Sequence, residues 1–99
     1  MAIKFLFVML PEMHLLDLAG PEQAIVESID FGADFEIVHC GINEGINTYS
    51  GLNISVLKNY REIILNQGDF IFIPGSRVNY FLSDKFKKET EFFDWLNLQ

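Results

Sequence analysis

The sequence predicts an α/β fold built on a parallel sheet, and three observations carry that prediction. The run Ile3 to Leu10 is apolar apart from Lys4 and rich in β-branched and aromatic residues, as in a strand buried on both faces. A helical stretch and a second extended run, Phe35 to Cys40, complete a βαβ unit in about forty residues. A third apolar strand, Asp69 to Ile73, is broken abruptly by Pro74-Gly75-Ser76.

The first strand ends at Pro11. The loop from Pro11 to Gly20 then lies at the carboxyl end of the strand, where parallel sheets place their ligands, and it holds one carboxylate, Asp17. Pro21 suits the first helical position, where its missing N–H costs nothing, and Glu22 complements the positive end of the helix dipole. The expected helix therefore runs from Pro21 to about Ile29, with a turn at Asp30 to Ala33. A right-handed crossover sets Phe35 to Cys40 parallel to the first strand, with the helix covering one face of the sheet; this strand ends at Gly41.

Gly41 to Gly45 reads as a loop. Ile46 to Tyr49 and Leu52 to Val56 are short extended pieces around Ser50-Gly51, which predicts a small hairpin or a bent strand. Tyr60 to Leu65 predicts a short helix, ended by Asn66 to Gly68. Ser83 is a suitable N-cap for a final helix from Asp84, in which Phe86, Phe93 and Leu96, with Phe92 and Trp95 beside them, follow helical spacing and face the sheet. Two strands apolar on both faces need helices on both sides, and the chain supplies two good helices and a short third. The Phe-rich sheet is therefore expected to be covered by a partner chain or by a further C-terminal segment.

Ninety-nine residues, 49% of them apolar, allow one domain with a real core. Fourteen acidic against seven basic residues give a net charge of -7, so these residues are repelled by phosphate backbones and by anionic membrane surfaces. No run approaches the ~20 apolar residues of a membrane span. The apolar run after Lys4 is too short for a secretion signal and no small-residue cleavage site follows it. Cys40 is the sole cysteine, which excludes an intrachain disulfide and fits a reducing cytoplasm.

Asp17 has two readings. Leu15, Leu16 and Leu18 crowd it enough to predict partial desolvation, which suits a proton carrier; the alternative is a turn or N-capping aspartate. His14 is expected at the rim of the cleft, either touching a ligand or solvated. Arg77, two residues past Gly75, is placed to meet a ligand carboxylate or phosphate, although an exposed loop charge is the commoner outcome. Tyr80 and Phe81 on the same loop line a pocket or an oligomer interface. Cys40 follows His39 on a strand, so the two point to opposite faces and Cys40 reads as a core thiol. Glu12, His14, His39 and Cys40 lack any regular ligand spacing, and no metal site is expected. Lys85, Lys87 and Lys88 read as the solvated face of the last helix.

Two motifs carry a resemblance to a known family. Leu16-Asp17-Leu18-Ala19-Gly20-Pro21 and the strand Asp69 to Ile73 entering Pro74-Gly75, with Ser50-Gly51-Leu52 midway between them, resemble the ThiJ/PfpI superfamily, the class I glutamine amidotransferase-like fold. Within it the chain is most similar to the branch holding isonitrile hydratase and the N-terminal domains of AraC-type transcriptional regulators. The resemblance covers residues 1–99 but only the first half of a family domain. It implies a three-layer, flavodoxin-like half-domain truncated before the nucleophile elbow. Family members carry a nucleophilic cysteine in a Cys-Thr-Gly or Cys-x-Gly context, one strand beyond the helix that here ends at Gln99. The resemblance makes Asp17 the acid facing that cysteine, and Gly75 and Ser76 the turn whose backbone N–H stabilises an oxyanion. It implies a homodimer, a small-molecule ligand and no cofactor, with DNA reached only through a C-terminal domain. Three functions follow as alternatives: a sensing domain of an AraC-type regulator, a cysteine-dependent hydratase or amidase inactive as this fragment, and an interaction module in which Asp17 is only a turn residue.

Overall fold

The computed structural model describes residues 2–55 and 58–99. Among them a parallel four-stranded sheet runs in the order β5-β2-β1-β6, with β1 at Ile3–Met9, β2 at Phe35–Gly41, β5 at Lys58–Asn59 and β6 at Phe70–Phe72. β1 is central because it is apolar on both faces. Leu6, Val8 and Leu10 enter one core cluster and Phe7 and Met9 the other, and all five are buried. Removing each such side chain from water contributes about 1.5–3 kcal/mol, which only a strand covered on both sides can collect in full.

One layer is α1, Leu15–Asp30. Leu18, Ile25 and Ile29 recur at helical spacing and pack with Phe7, Met9 and Phe72. Glu22 lies on the same stripe, and its carboxylate meets Nε2 of His39 on β2. The opposite layer comes from the C-terminal third. The short helices α2, Val78–Phe81, α3, Asp84–Lys87, and α4, Thr90–Asn97, set Tyr80, Phe86, Phe92 and Trp95 against Leu6, Val8 and Cys40. A 3-10 turn at Tyr60–Glu62, held by a capping box from Asn59, adds the buried Tyr60. The α/β three-layer arrangement expected from the sequence is therefore present.

Besides β5 and α2, which form in segments not expected to be regular, three boundaries differ markedly from expectation. α1 begins six residues before Pro21, which sits inside the helix rather than at its start. Burial overrides the local signal: Leu18 is docked into the core beside Met9 and Met13, and that contact holds the chain helical ahead of the proline. Glu22 is thus mid-helix and serves His39 rather than the dipole. The continuous helix expected from Asp84 is instead two pieces, α3 and α4. The Phe86 and Phe93 rings meet edge-on at 5.1 Å, whereas seven residues of straight helix would separate their backbones by about 10.5 Å along the axis. The break lets both aromatics enter one cluster. The helix expected over Tyr60 to Leu65 shrinks to one 3-10 turn, beyond which Ile63 and Leu65 turn inward on an extended path.

The hairpin is present, with β3 at Ile46–Asn47 and β4 at Asn53–Ile54 paired antiparallel; Val56, the end of the expected second piece, lies outside the described residues. The outer edge of β6 is open among the described residues, and Phe70 beside it is 51% exposed.

Candidate functional site

The segment leaving β1 acts as the middle rail of a small ladder. On one side the Glu12 N–H donates to Asn47 O at 2.8 Å and the Tyr49 N–H to Met13 O at 3.0 Å. On the other the His14 N–H donates to Gly75 O at 2.7 Å and the Arg77 N–H to Glu12 O at 3.0 Å. Met13 and Ser76 face each other as an antiparallel bridge whose bonds are carried by their neighbours, so the Ser76 N–H takes no part in it. The ladder explains why Glu12 tolerates φ 59. A non-glycine residue in the left-handed region costs about 1–3 kcal/mol, and bonds to both flanking segments hold it there.

This ladder brings the two sequence motifs together. Asp17 occupies the first turn of α1, and its carboxylate lies against the turn after β6: a β-carbon at position 75 would be only 2.6 Å from Asp17 Oδ2 and 3.8 Å from His14 Cδ2. Glycine at 75 is thus what gives the carboxylate its seat. The His14 ring stands 5.3 Å from the Tyr49 ring, and the Arg77 guanidinium carbon lies 5.6 Å from the centre of Tyr49. Arg77 Nη1 is 3.6 Å from Glu12 Oε1, an exposed pair that contributes at most ~1 kcal/mol.

His14, Asp17, Gly75 and Arg77 are therefore gathered at the carboxyl ends of β1 and β6, with Ser76 among them. Asp17 is exposed rather than partly desolvated, which corrects the sequence expectation. Its leucine neighbours do not cover it, since Leu16 is 79% exposed and Leu18 turns into the core. Nor is Asp17 a cap: the N-cap is His14, without a side-chain capping bond. Ser76 is buried, and its hydroxyl has no hydrogen-bond partner among the described residues. Arg77 is exposed, as the commoner expectation had it, with Glu12 and Tyr49 beside its guanidinium.

Nothing in the sequence marks Tyr49 as a neighbour of these residues. It sits in the hairpin turn, and no local pattern couples that turn to His14; only the backbone bond to Met13 does so. Tyr80 packs into the core rather than lining a pocket, and burial, with Glu89 and Glu12 nearby, pushes its hydroxyl up to about 12.

Cys40 contributes nothing to this site. It lies in the cluster beneath the C-terminal helices, while His39 on the opposite face stacks on Phe7, as strand alternation requires. Burial pushes the Cys40 thiol up to about 12, the reverse of what a nucleophile needs. Among the described residues no group of three metal-capable side chains converges, and no helix is long and apolar enough to cross a membrane. What remains is an acid, an imidazole and a guanidinium around a glycine turn. No family model, curated protein or solved structure matches this chain.

Proposed function

We propose that residues 1–99 are the N-terminal part of a ThiJ/PfpI-like ligand-sensing and dimerisation domain of a cytoplasmic AraC-type transcriptional regulator. The observation that carries the reading is the seating of the Asp17 carboxylate against Gly75, which unites the two motifs behind the resemblance. His14, Tyr49 and Arg77 around that seat support a small-molecule ligand. The open edge of β6 and the exposed Phe70 support a homo-oligomer. The net charge of -7 supports a division of labour in which DNA is read by a separate basic domain.

A cysteine-dependent hydratase or amidase of the isonitrile hydratase type is the second reading. It is favoured by the seating of the Asp17 carboxylate against Gly75, one residue before the Ser76 N–H that the ladder leaves unused, since an acid at a turn with a spare backbone donor suits an attacking thiolate and a developing oxyanion. Cys40 cannot supply the thiolate from the opposite face of the sheet.

The coding frame past the Gln99 codon is the test. A strand, a cysteine elbow or its remnant, and then a basic helix-turn-helix segment are expected. A frame closing soon after one complete domain with the cysteine present replaces the regulator by the enzyme, and a frame with no further half-domain removes both. In a completed domain, unchanged turnover or ligand affinity in Asp17→Ala would reduce Asp17 to a structural residue.

A further inference from the structure

Away from the Asp17 site, β1, β2, β5 and the segment after the 3-10 turn surround an open cavity of about 250 Å³. Its apolar wall is Val38 and Ile63, both packed against the core beneath the C-terminal helices. Ile64 and four charged side chains line the rest, the latter being Lys4 and Lys58, and Glu36 and Glu62. Lys4 and Glu36 are register partners on adjacent strands and therefore share a face.

Two of these four are held by the backbone. Lys4 Nζ donates to Ile64 O at 3.1 Å, leaving two of its three N–H donors for a ligand. Glu62 accepts from the Asn59 N–H through Oε2 at 3.1 Å, leaving its other oxygen. None of the four forms a salt bridge among the described residues. Two cations and two carboxylates thus line one concavity without neutralising one another as pairs. An anion would leave the carboxylates facing it, and a cation the ammonium groups. A molecule carrying both charges satisfies both sets.

We propose that this cavity binds a zwitterionic α-amino acid with an apolar side chain of moderate size. Its carboxylate is taken by Lys4 and Lys58, its ammonium by Glu36 and Glu62, and its side chain lies on Val38 and Ile63. The volume falls below the ~300–1,000 Å³ typical of sites for drug-sized ligands, which favours a molecule of amino-acid size over a nucleotide. The inference is independent of the regulator reading, because it uses no residue of the Asp17 site.

The test is a titration of the ¹⁵N-labelled 99-residue chain with L-leucine, 4-methylpentanoate and isopentylamine, followed by amide shifts. L-Leucine is expected to saturate with a dissociation constant on the order of millimolar, with shifts confined to the strands and the turn around the cavity. Each single-charge analogue is expected to bind about tenfold more weakly. Lys58 and Glu36 are exposed, so Lys58→Ala and Glu36→Gln should leave the rest of the spectrum unchanged. Both should weaken L-leucine by about tenfold, and Asp17→Ala should not affect it. Shifts that stay linear to the solubility limit, a carboxylate that binds as tightly as the amino acid, or variants that bind like the parent would each overturn the proposal.

Discussion

Replacing Gly75 by alanine asks whether the seat of Asp17 is shaped by a movable side chain or by fixed backbone. The new β-carbon would meet Asp17 Oδ2 at 2.6 Å, so the oxygen must retreat by about 0.8 Å to reach an ordinary contact of 3.4 Å. The next neighbours, Asp17 Cγ and His14 Cδ2, are already at 3.8 Å. Gly75 is not among the residues with positive φ, so alanine adds no backbone strain. The Asp17 carboxylate forms no ion pair among the described residues and is exposed, hence free to swing outward. Pushing it ~30° off its rotamer costs about 0.5–1.5 kcal/mol. Loss of glycine's freedom in the unfolded chain returns about 0.4–1 kcal/mol. Gly75→Ala should therefore change stability by less than about 1 kcal/mol, a melting shift within about 8 °C for a domain of this size. Its amide shifts should nevertheless move at residues 14–18 and 75–77. In an Asp17→Ala background the steric cost should vanish, leaving a net stabilisation of about 0.4–1 kcal/mol. The assays are thermal and urea unfolding of the four proteins of the double-mutant cycle. A loss above ~3 kcal/mol in both backgrounds would refute the argument, since backbone rather than carboxylate would then fill the space.

Gly45→Ala should behave differently, because its β-carbon would meet Ile54 O at 2.9 Å and Ser55 Cα at 3.2 Å, both backbone; a cost of about 1–3 kcal/mol is expected in urea unfolding. Cys40, with its thiol raised to about 12 by burial, should resist aromatic disulfide reagents at pH 8 in the native protein and react fully in denaturant. Rapid native labelling would contradict its burial. The Asp69 carboxylate is held below its ordinary range by the backbone N–H of Asn66 first and of Lys4 second. A lowered acid stabilises the fold above its unfolded value of about 3.9 and loses that contribution as pH falls through the folded value. Parent and Asp69→Asn should thus differ in urea midpoint at pH 7 and converge below that value; a constant gap would exclude the linkage.

Much of the fold was legible because burial on both faces leaves a plain trace in composition. Ile3 to Leu10 has few polar residues to orient it, as suits the central strand of a covered parallel sheet, whereas the equally apolar Asp69 to Ile73 lies at the sheet edge with Phe70 51% exposed. Alternation along β2 also sufficed to separate Cys40 from His39. The start of α1 was not legible, since Pro21 is a strong local signal and the docking of Leu18 that overrides it is tertiary. The break between α3 and α4 was hidden for a related reason. Periodicity shows which residues share a helical face, but not that Phe86 and Phe93 gain more by touching. In the candidate site, position singles out His14 and Arg77, and the resemblance singles out Asp17, Gly75 and Ser76. Tyr49 and the strained Glu12 owe their places to long-range backbone bonds.

The strand order has a consequence in time. β1 finds β2 at a separation of 32 residues, from Ile3 to Phe35, but its other neighbour, β6, lies 65 residues away, as between Lys4 and Asp69. Doubling a loop adds only about 0.6 kcal/mol of closure entropy, yet on the ribosome, at about 5–20 residues per second, the second partner emerges seconds after the first. Until then one edge of β1 is bare in the nascent chain, and Asp17 has no glycine turn to rest on. The side chains of the candidate site are brought together by the same event that closes the sheet.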